Sequence, residues 1–146
     1  MRKIAIGLLA AAALLRASAA ELEWMTDLPK AQAKAKEEKK MVMLDFTGSD
    51  WCGWCIKLHK EVFSTPEFAE YAKNNLVLVE VDFPTKKKQS TELKKANAEL
   101  QRKYKIDGYP TIIVLNAEGK TIGELGYMAG GPKAFIAELN KVKQKA

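Results

Sequence analysis

The chain has 146 residues, with 24 basic and 18 acidic side chains and a net charge of +6, the length of one ordinary domain. Hydrophobic residues make up 47% and charged residues 29%, which excludes intrinsic disorder, a collagen-like fibre and a multi-span membrane protein. Two cysteines, Cys52 and Cys55, allow at most one intramolecular disulfide, which excludes a disulfide-stapled miniprotein and a four-cysteine zinc site.

Residues 1–20 read as a secretory signal peptide. Arg2 and Lys3 give a positive start, Ile4 to Leu15 form an apolar run, and Ala17-Ser18-Ala19 supplies small residues for cleavage near 19–20. The run is shorter than the roughly 20 residues that span a bilayer, and no cysteine lies near the cleavage region to take a lipid anchor. Removing three basic residues and no acid lowers the net charge to +3. A weakly basic exported protein needs no nucleic-acid partner.

One domain, residues 21–146, follows. Asp27 caps a short charged helix, expected over 30–40 with Pro29 in its first turn. The apolar run MVMLDF (Met41 to Phe46) predicts a buried strand, and Thr47 to Asp50 a turn. A helix beginning near Cys52 carries Ile56, Leu58 and Val62. Thr65-Pro66-Glu67 opens another, ending near Asn74-Asn75. LVLVEV (Leu76 to Val81) is a second strand, and 84–89 a polar loop. Leu93, Ala96, Leu100 and Tyr104 recur at helical spacing, with Leu93, Leu100 and Tyr104 facing the core. TIIVL (Thr111 to Leu115) is a third strand, turning through Asn116 to Gly119 into a returning strand over 120–125. Pro132 opens a last helix with Phe135, Leu139 and Val142 inward. The pattern predicts an α/β fold: parallel strands joined by crossover helices, one antiparallel hairpin, and helices on both faces of the sheet.

The chemistry concentrates in WCGWC (Trp51 to Cys55). A Cys-x-x-Cys pair between a strand and a helix is a redox signature. Helix N-terminal N–H groups stabilise a thiolate, so an exposed Cys52 is the expected attacking thiolate and a shielded Cys55 the resolving thiol. A static disulfide competes, but so small a loop gains little from cross-linking. Zinc would need further ligands; His59 is the single histidine, and a helix histidine is the simpler reading of it.

MVMLDFTGSDWCGWCIKL (Met41 to Leu58), YKIDGYPTIIVLNAEGKTIG (Tyr104 to Gly123) and the closing helix after Gly130-Gly131 together resemble the thioredoxin family, specifically its thiol:disulfide interchange proteins of the bacterial envelope. The resemblance implies a thioredoxin fold with a central mixed sheet. It makes Pro110 the family's cis-proline beside the disulfide, presenting Tyr109 to an extended substrate. It matches Asp45 to the buried acid that accepts the proton of Cys55, with one residue more between Asp45 and Cys52 than in ordinary thioredoxins. Trp51, Gly53, Trp54, Tyr109 and Pro110 are the expected substrate-binding residues, with the 126–130 loop as a wall. Trp54 stands where cytoplasmic thioredoxins usually have Pro. Lys86 to Lys88 read as a solvated loop.

The implied activity is thiol–disulfide exchange on protein disulfides without a cofactor or metal. The expected protein is a periplasmic, monomeric reductase fed by a membrane electron donor of the DsbD type. The alternative is a non-catalytic binding or chaperone module whose disulfide is structural.

Overall fold

A computed structural model describes residues 21–146; the signal-peptide reading falls on 1–20, outside the described residues. The elements are β1 (Trp24–Met25), α1 (Leu28–Glu38), β2 (Met41–Thr47), α2 (Gly53–Leu58) running into a π-helical turn (His59–Phe63), α3 (Pro66–Asn75), β3 (Leu76–Asp82), α4 (Thr91–Lys103), β4 (Thr111–Leu115), β5 (Thr121–Leu125) and α5 (Gly131–Lys143). The five strands form one mixed sheet in the order β1-β3-β2-β4-β5.

Local chemistry sets most boundaries. The Asp27 side chain accepts the Lys30 N–H at 3.0 Å and starts α1 at Leu28, two residues before the expected position. Thr65 and Ser90 cap α3 and α4 in the same way, each satisfying an N–H that the helix itself leaves unpaired. Pro66 and Pro132 occupy first turns, where a missing N–H costs nothing. In the β4–β5 turn the Asn116 side chain accepts the N–H groups of Glu118 and Lys120. Gly119 there has φ 87°, a conformation open to glycine.

All seven residues of β2 are buried, and strand alternation splits them between two layers. Val42, Leu44 and Phe46 join Val77, Val79, Val81, Ile113 and Leu115 under α1. Met41 and Met43 join Leu76, Leu78, Leu58, Val62, Phe68 and Phe135 beneath α2, α3 and α5. Each large apolar side chain buried in this way contributes about 1.5–3 kcal/mol before entropy is counted.

Two expectations change. β4 does not run parallel to its neighbour: it pairs antiparallel with β2, Asp45 opposite Ile112, because the chain leaving α4 re-enters the sheet from the opposite end. On α4, Leu100 and Tyr104 pack on the core as expected, but Leu93 is only partly buried and the polar Asn97 is buried instead, donating to the Asp82 carbonyl at 3.0 Å. Ile56 lies on the outer side of α2 and is exposed, whereas Leu58 and Val62 are buried. The two-residue β1, parallel to β3, has no counterpart in the sequence reading.

Candidate redox site

The site lies where β2 ends. The chain turns through Gly48 to Trp51 and enters α2 at Cys52. The Gly48 carbonyl accepts the N–H groups of Cys52 at 2.8 Å and Trp51 at 3.2 Å. A Cβ on Gly48 would overlap the Trp51 indole, so the turn closes only around a glycine. Trp51 folds back, donates its indole N–H to the Phe83 carbonyl at 2.7 Å and meets the Tyr109 ring edge-on.

Cys52 is the N-cap of α2. Its Sγ accepts the N–H of Cys55 at 3.3 Å, and the two residues are joined in a disulfide with Cα atoms 5.2 Å apart. The expected contrast in exposure is not present in this state: Cys52 is 7% and Cys55 5% exposed. The Cys52 backbone is held in the turn by Gly48, and its sulfur faces inward on the Cys55 N–H and Sγ, so the N-cap position does not leave it open.

Beneath the pair, β2 and β3 turn three carboxylates to one face. Asp45 is 8% exposed, and its Oδ1 finds no hydrogen-bond partner among the described residues. Asp45 is the register partner of Glu80, and Thr47 of Asp82. Burial first, then the charges of Glu80 and Asp82, push the Asp45 carboxyl up to about 8. Glu80 is half-buried; burial and Asp82 raise its pKa, while Lys87 and His59 oppose the rise. Asp82 is committed elsewhere, accepting the Ser49 N–H at 3.0 Å and the Ser49 hydroxyl at 2.5 Å.

Asp50 binds the neighbouring loop. Its carboxylate accepts three backbone N–H groups, Thr85 at 2.9 Å, Lys86 at 2.8 Å and Lys87 at 2.8 Å. These bonds, Thr85 first, hold its pKa down to about 2, as donors to a carboxylate do. Lys87 also donates from Nζ to the Ser49 hydroxyl at 2.9 Å. The lysine run is therefore tied through its backbone to the turn before Cys52.

Above the pair, Trp51 and Trp54 are 47% and 57% exposed. Trp54 packs at a tilt against Tyr127, ring centres 4.9 Å apart, and Lys57 Nζ lies 5.1 Å and 5.2 Å from the two ring centres, within cation–π range. The Tyr127 hydroxyl donates to Glu61 at 2.8 Å. A Cβ at Gly53 would meet nothing within 4 Å, so the space over it is open. Tyr109 is half-buried, packs on Phe83 and accepts the Gln101 side-chain N–H at 2.7 Å; the Tyr109–Pro110 bond is cis. His59 is exposed, edge-on to Phe63.

The structure thus places Cys52, Cys55 and Asp45 at one end of β2 and sets Trp51 against Tyr109. Sequence reasoning missed Glu80, Asp82, Ser49 and Asp50, and placed Tyr127 only within the 126–130 loop expected to wall the groove. The alternation of LVLVEVD carried a signal for the first two, since Glu80 and Asp82 fall in phase with Leu76 and Leu78 on the face that Asp45 shares.

A thioredoxin-like domain family matches residues 28–143. The disulfide bond reductase DsbH of Chlamydia pneumoniae is 38% identical over 122 residues, covering 84% of this chain and 73% of that protein. The thiol:disulfide interchange protein DsbD of Vibrio vulnificus is 32% identical over 119 residues, covering 80% of this chain but only 18% of DsbD. A solved structure of a DsbH oxidoreductase superposes with a TM-score of 0.80 at 34% identity, covering 95% of this chain and 94% of that one. With a Cys-x-x-Cys disulfide at the mouth of such a fold, the chain is a thiol–disulfide oxidoreductase of the thioredoxin-like family.

Proposed function

We propose that the protein is an exported reductase of protein disulfides. The observation that carries this reading is the Cys55 N–H directed at Cys52 Sγ, a donor placed to hold a thiolate on Cys52 once the disulfide is reduced. The Cys52 thiolate attacks a substrate disulfide and forms a mixed disulfide. Cys55 then attacks Cys52 Sγ and releases the substrate thiol. Asp45, whose burial raises its affinity for a proton, accepts the proton of Cys55 through a water when it is ionised and returns it when the site is reduced again. The substrate lies extended across Trp51, Gly53 and Trp54, with Tyr109 and Pro110 along its other side.

The reductase direction draws on the DsbH likeness. Residues 1–20 act as a cleaved signal peptide, which puts the monomeric protein in the periplasm. Electrons come from a membrane donor of the DsbD type, because an oxidising compartment does not supply them. Insulin reduction tests the reading: Cys52→Ser abolishes turnover, and Cys55→Ser accumulates mixed disulfides. Full turnover in Cys52→Ser, or no trapping in Cys55→Ser, overturns it and leaves a structural disulfide in a binding module.

A further inference from the structure

We propose that Glu80 passes the proton of Cys55 between Asp45 and solvent, so that the two facing carboxylates act as one proton-transfer pair. The inference rests on the redox reading above and extends its proton path. Asp45 is enclosed and its Oδ1 has no partner among the described residues, so a proton that it accepts needs a way out. Glu80 is its register partner on the adjacent parallel strand. Such neighbours lie about 4.8 Å apart and turn their side chains to the same face. Glu80 is half-buried, not enclosed, so the pair has one dry end and one wet end.

The other groups around the pair do not replace Glu80. On β4 the partner of Asp45 is Ile112, which carries no charge. Asp82 is occupied by Ser49, and Lys87 Nζ by the Ser49 hydroxyl. His59, from the π-helical turn, and Lys87 act on Glu80 as positive charges, favouring its ionised, proton-accepting form. Two like carboxylates side by side resist double ionisation and tend to share one proton.

The step balances as follows. In the mixed disulfide the Cys55 thiol gives its proton to Asp45, and its sulfur electron pair forms the bond to Cys52 Sγ. The Cys52–substrate bond breaks with its electron pair leaving on the substrate sulfur, which takes a proton from solvent. The dithiol is oxidised by two electrons and the substrate disulfide reduced by two. Asp45 then hands its proton to Glu80, and Glu80 releases it to water.

Stopped-flow tryptophan fluorescence of the reduced protein, mixed with excess oxidised glutathione, separates attack by Cys52 from resolution by Cys55. Glu80→Gln leaves attack unchanged and slows resolution about tenfold at pH 7, less than the ~100-fold of a direct acid–base group. Glu80→Asp restores resolution, and in an Asp45→Asn background Glu80→Gln has no further effect. Resolution unchanged in Glu80→Gln, or slowed equally in the Asp45→Asn background, overturns the proposal. A parent that forms no mixed disulfide at Cys52 fails the redox reading itself, and the proposal with it.

Discussion

The two faces of the same pair of strands are built to different rules. On one face Val42, Leu44, Phe46, Val77, Val79 and Val81 are apolar from end to end. On the other, Met41, Met43, Leu76 and Leu78 begin as core, and Asp45, Glu80 and Asp82 replace them within the next two register positions. One residue of phase separates a position where a carboxylate would be ruinous from one where it is used. Carboxylates appear only on the face that leads to Cys52 and Cys55, and only at the strand ends nearest them.

The comparison can be broken by moving a carboxylate to the wrong face. Leu44→Asp buries a charge with no partner beside Val79 and Ile113; the expected outcome is loss of the folded state, seen by circular dichroism, since the cost exceeds about 4 kcal/mol. Phe46→Ala on that face leaves a cavity in a fully buried position and costs about 3–5 kcal/mol in urea unfolding.

Asp45→Asn tests the other face and should act in the opposite direction. The folded-state pKa of Asp45, about 8, stands above its ordinary 3.8. The folded protein therefore binds more protons than the unfolded chain between these values, and stability falls as pH rises through that window. The variant loses this slope: it gains on the order of a few kcal/mol at pH 8 and almost nothing near pH 4. Equal effects at both pH values would show that the Asp45 charge is not the cause.

Smaller changes sharpen the picture. Ser49→Ala removes two hydrogen bonds to the Asp82 carboxylate only in part, since the backbone donor survives, and costs about 1 kcal/mol. Trp54→Ala leaves thermal stability within about 0.5 kcal/mol, because the ring is largely exposed, while raising the KM for a protein disulfide more than for glutathione disulfide.

How much of this was legible follows from the same alternation. β2, β3 and the inward face of α5 could be read because each carries a dense run or a regular repeat of apolar residues. The direction of β4 could not, since TIIVL reads alike either way and the α4 crossover does not fix it. Two residues carry no period, so β1 was invisible. Asn97 occupies the slot that Leu93 and Leu100 define, four residues after one and three before the other; its polarity concealed a burial that the Asp82 carbonyl explains. The Cys52–Cys55 pairing and the burial of Asp45 were legible from spacing and family resemblance. The Asp50 bonds were not, because they join residues 35 to 37 positions apart.

Those bonds reach beyond the chemistry of the cysteines. Lys86, Lys87 and Lys88 are exposed, and a surface run of lysines is an ordinary target for trypsin, which must draw the backbone into an extended form to cut it. Here Asp50 holds the amides of Thr85, Lys86 and Lys87, so cleavage at this run requires the turn before Cys52 to let go first. The rate of tryptic nicking after Lys86 to Lys88 thus becomes a clock for opening of the active-site turn, and Asp50→Ala should set that clock running faster in a protein whose core is unchanged.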